Sequence, residues 1–427
     1  MSWYLLIPFG IFAIAFIIHM PLGLSMFAGS IVYYLAKGIS IGSFINTVCY
    51  GLVNSYILIA IPLFVFSANV MNDGRITDKI FDFARAIIGN KYGATAYVNI
   101  LASLIFAGMT GSALADASGL GILEITQMKK EGYDMPFSCA ITAASSVVGP
   151  IFPPSIPFVI YAMVSGASVG KLFLGGIIPA IILCIVMGIY IYFISKKRNY
   201  PIGDRVPFRQ FLSATFRAIP ALMTPIILLI GMYTGIMTPT EAAAVAAAYA
   251  LLIGFIVYRT LSLRALGKIL LNTIRTVGSI FLVIAGAYGF SFIITAEQVS
   301  GVVAEVITGM VSSPSGFLFI VNILFLILGC FVDVNVSELV FLPIVLPLVK
   351  HFNINLVHFG VMICLNMMIG LFTPPFGMLL FIVAGIGKVS MRDLIREIMP
   401  FIVVELVALV IVACIPETVL FLANLIR

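Results

Sequence analysis

Apolar runs close to the ~20 residues that cross a bilayer recur down the whole chain, separated by short polar or glycine- and proline-rich interruptions. The pattern predicts an all-α polytopic membrane protein with about 10–12 transmembrane helices. The first run, LLIPFGIFAIAFIIHMPLGL from Leu5, has no basic residue before Lys37. It lacks the positive n-region of a cleavable signal and is expected to stay as the first membrane helix, with no long soluble tail or domain at either end. Residues 217–235 and 239–257 read as two further crossings joined by the turn TGIMTPTE. One interruption stands apart. GPIFPPSIPF, residues 149–158, carries four prolines inside an apolar region, although proline removes a backbone donor and unpaired backbone groups in lipid cost several kcal/mol each.

The interruptions repeat. Val98–Asn99 precedes the small-residue break FAGMTGSALADASG and a later GPIFPP; Val321–Asn322 precedes LGCFVDVNVSE and a later GLFTPP. Asn99 and Asn322 lie 223 residues apart, Asp116 and Asp333 217, and Gly149 and Gly370, like the two proline pairs, 221. Order and nearly constant offset argue for a duplicated unit. Each half also opens on a basic-flanked amphipathic segment suited to the membrane interface. RITDKIFDFARAIIG sets Ile76, Ile80, Ala84 and Ile87 on one helical face, and LRALGKILLNTIR does so with Leu263, Leu266, Leu270 and Ile274; an ordinary solvated loop helix is the plainer alternative. The expected organisation is N-terminal scaffold helices over 1–74, a first repeat over 75–195, a loop and scaffold helices over 196–261, and a second repeat over 262–427.

Composition agrees with the pattern: 62% of the 427 residues are hydrophobic and 9% charged. The Lys/Arg-rich stretches 195–210 and 258–268 face the cytoplasm by the positive-inside rule, and the two crossings between them return the chain to its starting side. The net charge of +6 is then topology, with nothing to suggest nucleic acid. Six cysteines stand singly without a CxxC pair and read as packing residues. The histidines do not cluster: His19 and His351 fall at segment ends and His358 stands alone. No Ser/His/Asp grouping, paired-His zinc spacing or nucleotide loop supports an enzyme. An ion channel is disfavoured because neither a filter motif nor a regular series of voltage-sensing charges is present.

Two breaks in duplicated surroundings point to one composite site. Secondary transporters use discontinuous helices whose half-helix N-termini attract anions and whose freed carbonyls coordinate Na⁺; paired proline kinks that only shape packing are the alternative. Asp116 and Asp333 sit in apolar surroundings, where an unpaired carboxylate is costly. They hold a cation site or the hairpin geometry around it, or cap half-helix N-termini, and the two roles can coincide. Thr238 and Glu241 have capping-box spacing with Pro239 at the first helical position, so helix initiation accounts for them.

GMTGSALADASG, EGYDMPFSCAITAASSVVGPIFPPSIPFVIYAMVSGASVGKLFLGGIIPA, TPTEAAAVAAAYAL and VHFGVMICLNMMIGLFTPPFGMLLF resemble the large membrane subunit of the tripartite ATP-independent periplasmic (TRAP) transporters, over essentially the whole chain. The resemblance implies a bacterial inner-membrane permease built as two inverted repeats with re-entrant hairpins, working as an elevator and driven by a Na⁺ gradient; the free energy of concentrating a monoanion a thousandfold then calls for at least two Na⁺ per substrate. It implies a separate small four-helix membrane subunit and a soluble periplasmic binding protein as partners. It places Na⁺ and substrate at Ser103, Thr110, Gly111, Ser112, Asp116, Ser145, Ser146, Gly149 and Pro150 of the first repeat. In the second it takes Asp333, Asn335, Asn366, Gly370, Thr373 and Pro374. The implied cargo is an organic acid, with sialic acid first and C4-dicarboxylates next; a stand-alone Na⁺/dicarboxylate carrier is the rival within transport.

Overall fold

The computed structural model describes residues 3–18, 20–74, 76–203 and 205–425; the segment-end reading of His19, the basic flank Arg75 and Asp204 of the 195–210 stretch lie outside them. Among the described residues the chain is helical without strands, apart from an isolated antiparallel bridge between Tyr92 and Ile202. The N-terminal helices are α1 (Trp3–Ile17), α2 (Leu22–Ala36), α3 (Ile41–Asn54) and, after a 3-10 turn, α4 (Ala60–Asp73). The single first helix expected over Leu5 to Leu24 is therefore two. Pro21 stands at the break, where it restricts the residue before it and precedes the first turn of α2.

The first repeat runs through α5 (Ile76–Ile88), α6 (Ala94–Thr110), α7 (Ala113–Ser118), α8 (Leu120–Lys130), α9 (Met135–Ser146), α10 (Ile156–Ser165) and α11 (Val169–Lys197). Two helices follow, α12 (Phe208–Tyr233) and α13 (Pro239–Leu252), which continues as a π-helical turn to Val257. The second repeat comprises α14 (Leu263–Ala296), α15 (Val299–Met310), α16 (Pro314–Phe331), α17 (Val334–His351), α18 (Leu356–Gly370), α19 (Met378–Gly387) and α20 (Met391–Cys414), with α21 (Glu417–Ala423) last. By length and composition eight helical segments among the described residues can each span a membrane. The sequence pattern counts more because α9 with α10 and α18 with α19 are each one crossing divided at a break. On α11, Ile181, Ile185 and Ile189 stay exposed on the lipid side while Ala180, Leu183, Met187 and Ile191 are buried against the protein.

Polar contacts at the helix ends fix which ends share a side. Arg198 after α11 pairs with Asp134 before α9 at 3.4 Å and with Glu397 in α20 at 2.9 Å, and the Tyr92–Ile202 bridge ties the start of α6 to the same region. The open end of the hairpin α6–α8 thus lies on the Lys/Arg-rich side. The 29 residues of α11 rise about 44 Å, so its N-terminal end is opposite. There Gly175 abuts Val419 of α21 and Val357 at the start of α18, which puts the open end of the hairpin α16–α17 on the far side. The two repeats are therefore inverted. Their halves also exchange partners: α10 packs on α17 of the second hairpin, and α19 on α7 and α8 of the first.

The two amphipathic segments differ. In α5 the buried face is Ile76, Ile80, Phe81 and Ala84, with Ile87 exposed. In the second half the segment is the first third of the continuous α14, and Leu263, Leu270 and Ile274 are exposed while Ile269 and Thr273 are buried. The apolar stripe read from the sequence there faces lipid, because the protein contacts lie on the neighbouring side of the helix. The helix α12 likewise begins at Phe208, ahead of the expected crossing start. Thr238 and Glu241 form a reciprocal capping box on α13.

Candidate functional site

At each hairpin tip the chain meets the broken helix of its own repeat. Past Thr110, Gly111 turns the chain at φ 60°, and Ser112 caps α7 by accepting from Ala115 N at 3.4 Å. The carbonyl of Pro154 comes so close to Gly111 that a Cβ there has no room, and Gly111 O accepts from Ile156 N at 3.5 Å. A Cβ on Gly149 would lie 3.7 Å from Ser112. In the second repeat Asp333 caps α17: its Oδ1 accepts from the backbone N and the Nδ2 of Asn335, both at 2.9 Å. Gly377 N donates to Cys330 O at 3.2 Å, and Thr373 Oγ1 to Ile369 O at 2.7 Å. Pro153–Pro154 and Pro374–Pro375 are both cis.

Between the two tips lies a cavity of about 620 Å³, walled by α4, α14 and both repeats. Of the residues the sequence singles out, Thr110, Gly111, Ser112, Pro150, Asp333 and Asn335 line it. Asn69 and Asn72 of α4 and Thr276 and Ser279 of α14 complete the polar wall. Among the described residues no lysine, arginine or histidine lines it. Positive potential comes instead from helix ends: the N-termini of α10, α17 and α19 contribute Ile156, Val334 and Met378 to the lining, each end equivalent to roughly half a positive charge. Such a wall suits a hydroxylated solute whose negative charge is met by backbone dipoles.

The remaining first-repeat residues form a layer behind the tip. Asn99 Nδ2 donates to Thr142 Oγ1 at 2.8 Å, Ser145 Oγ donates to Asn99 Oδ1 at 2.6 Å, and Ser103 Oγ donates to Ser145 Oγ at 3.2 Å. Ser146 Oγ donates to Thr142 O at 2.7 Å. Asp116 and Glu124, each 1% exposed, lie within electrostatic reach of one another, with Ser103 near both, Ser146 near Asp116 and Thr142 near Glu124. Both Asp116 oxygens and one of Glu124 lack a hydrogen-bond donor. Asp116 is therefore no cap, contrary to one of its two sequence readings: Ser112 occupies that position because the helix starts three residues earlier. Two buried carboxylates amid hydroxyl and amide oxygens are the hard-oxygen surroundings that an alkali cation takes. The second repeat has a sparser counterpart. Asn366 Nδ2 donates to Asn322 Oδ1 at 2.6 Å and to its carbonyl at 2.8 Å, leaving its own Oδ1 and that of Asn335 without donors. Gly370 is the close contact of α18 with α16, where a Cβ would sit 2.7 Å from the Gly329 backbone. Pro374 lies within the break between α18 and α19.

Sequence reasoning missed Glu124 and the cavity-facing polar residues of α4 and α14. Asn69 with Asn72 and Thr276 with Ser279 each show an i, i+3 polar pair on an apolar helix, a readable signal. Glu124 precedes the basic end of α8, and nothing local marks it as buried. Asn99 and Asn322 stood out as repeat markers rather than as partners of Ser145 and Asn366.

The family model described as "Tripartite ATP-independent periplasmic transporter, DctM component" matches residues 6–418. The chain belongs to that family. It is thus a multi-pass TRAP transporter large permease and not an enzyme. It is 38% identical to the sialic acid TRAP transporter large permease protein SiaM of Vibrio cholerae, over 95% of each chain. It is also 38% identical to the sialic acid TRAP transporter permease protein SiaT of Haemophilus influenzae, over 97% of this chain and 67% of the relative. The C4-dicarboxylate TRAP transporter large permease protein DctM of Pseudomonas aeruginosa is 35% identical over 86% of each. Among solved structures, the Alcanivorax borkumensis YdaH transporter shares the fold, with a TM-score of 0.64 at 11% identity and 88% of each chain covered.

Proposed function

We propose that this TRAP permease imports a carboxylated, hydroxyl-rich solute, sialic acid first, across the bacterial inner membrane with Na⁺ as the coupling ion. The observation that carries this reading is the cavity between the hairpin tips: amide and hydroxyl groups, converging helix N-termini, and a buried carboxylate cluster at its back. The relatives named for sialic acid favour that cargo, and the relative named for C4-dicarboxylates keeps a smaller acid in view. Na⁺ fits Asp116, Glu124, Ser103 and Ser145 behind the first tip. The second tip offers the side-chain oxygens of Asn335 and Asn366. Cargo and ions travel with the two hairpins as a unit that slides against the N-terminal helices, α12 and α13. A small membrane subunit and a periplasmic binding protein complete the assembly.

Energetics argues for more than one ion. Concentrating a monoanion a thousandfold requires about 4.1 kcal/mol, at about 1.4 per factor of ten. A single Na⁺ makes the complex neutral and contributes only about 1.4 kcal/mol for a tenfold gradient, whereas two add one charge moving through ~100 mV and give about 5.1 kcal/mol. Uptake of labelled sialic acid into proteoliposomes, with the inward Na⁺ gradient and the binding protein varied independently, tests the reading. Uptake that needs both supports it. Uptake without a binding protein would move the chain to the stand-alone carriers, and transport of C4-dicarboxylates alone would replace the cargo.

A further inference from the structure

On the Lys/Arg-rich side, α5 and the start of α12 enclose a second cavity of about 440 Å³. Lys79, Arg85, Arg205 and Arg217 line it, against Asp82 as its one lining acid. Arg85 is engaged by Glu131 at the base of the first hairpin, at 3.0 Å. Lys79, Arg205 and Arg217 then oppose Asp82 alone among the described lining residues, a local excess of positive charge. The polar part of α12 enters through Gln210, Ser213 and Arg217, which share one helical face with Ala214. Phe208, Leu212, Phe216 and Ile219, all exposed, form an apolar stripe on the opposite side of α12. A basic hollow therefore sits on the Lys/Arg-rich side between α5 and the start of α12, a helix long and apolar enough to span the bilayer.

We infer that this cavity binds the phosphodiester headgroup of an anionic phospholipid of the cytoplasmic leaflet. Three cations around one hollow meet the charge of one or two phosphodiesters, and Arg side chains present several donors to each phosphate. Basic hollows between membrane helices on the cytoplasmic side suit such headgroups. A soluble phosphate satisfies the cations equally, and the place of the hollow beside a membrane-spanning helix favours the lipid. The site joins α5, which is tied through Arg85 to the first hairpin, to α12, which packs on α5.

The test is native mass spectrometry of the purified chain, alone and with its proposed small subunit, titrated with cardiolipin, phosphatidylglycerol, phosphatidylethanolamine and inorganic phosphate. Cardiolipin and phosphatidylglycerol are expected to be retained more than tenfold better than phosphatidylethanolamine. The double variant Arg205→Ala/Arg217→Ala is expected to lose more than tenfold of that retention, at about fivefold per cation. The control Arg259→Ala/Arg264→Ala, on another loop of the same side, should keep it. Equal retention of phosphatidylethanolamine, or equal losses in both double variants, overturns the site in favour of diffuse surface attraction. Saturable phosphate binding without any preference among the lipids overturns the lipid assignment and leaves a soluble phosphate site. The comparison among lipids uses the unaltered protein, so the conclusion does not depend on the variants folding.

Discussion

Asp116 and Glu124 are where the site departs furthest from ordinary membrane-protein chemistry. Two carboxylates share a space sealed from solvent, with hydroxyls around them and, among the described residues, no cationic side chain bonded to either. A bound cation relieves that arrangement. Asp116→Asn is therefore expected to raise the Na⁺ concentration for half-maximal uptake at least about tenfold, the loss of a charged contact of about 1.5–3 kcal/mol. Glu405→Gln, at a buried glutamate beside Cys184 on the far side of α11, should leave it unchanged. An unaltered Na⁺ dependence in Asp116→Asn would remove this cluster from the ion path. Gly111 gives a second expectation at this scale. Its positive φ and the Pro154 carbonyl against it mean that Gly111→Ala should destabilise the protein by about 1–3 kcal/mol, read as a lowered midpoint in thermal unfolding.

At the level of elements, the broken helices were legible because proline and small residues interrupt apolar runs, and their recurrence at nearly one offset exposed the duplication. The hairpin arms were less so: α7 and α8 are separated by a single residue, Gly119, that no periodicity marks. Burial of Glu124 depends on which face of α8 turns toward α9, a tertiary fact absent from local pattern. The stripe Leu263, Leu266, Leu270 and Ile274 is visible in the sequence, but in a membrane protein an apolar face points to lipid as readily as to core. Repeat equivalence also has limits in detail. Gly108 and Gly329 occupy matching positions, yet Gly329 packs on Gly370 of its own repeat while Gly108 packs on Pro225 of α12, where a Cβ would lie 2.8 Å from the proline Cβ. Gly370→Val should therefore prise α16 from α18 and lower the unfolding midpoint, whereas the same change at the open Gly278 should have little effect.

Across the whole molecule, the contact of Gly108 with Pro225 joins a hairpin that is proposed to travel to a helix that is proposed to stay. A Gly108→Cys/Pro225→Cys pair should cross-link on oxidation and stop uptake, with reduction restoring it; uptake that survives full cross-linking would rule out sliding at this contact. Fold and family were both readable from the chain because inverted repeats, membrane hairpins and their glycine and proline punctuation leave marks over its full length. The lining of the large cavity has a further consequence. A fixed arginine would grip an acid as firmly on arrival as on loading. Under the proposed coupling, a wall of dipoles and amides leaves most of that grip to the ions that travel with the solute, and where those ions are scarce they depart first. Unloading is then set by dilution on the far side rather than by any group the protein must let go, so the same cavity that captures a solute from one compartment is poor at retaining it in the other.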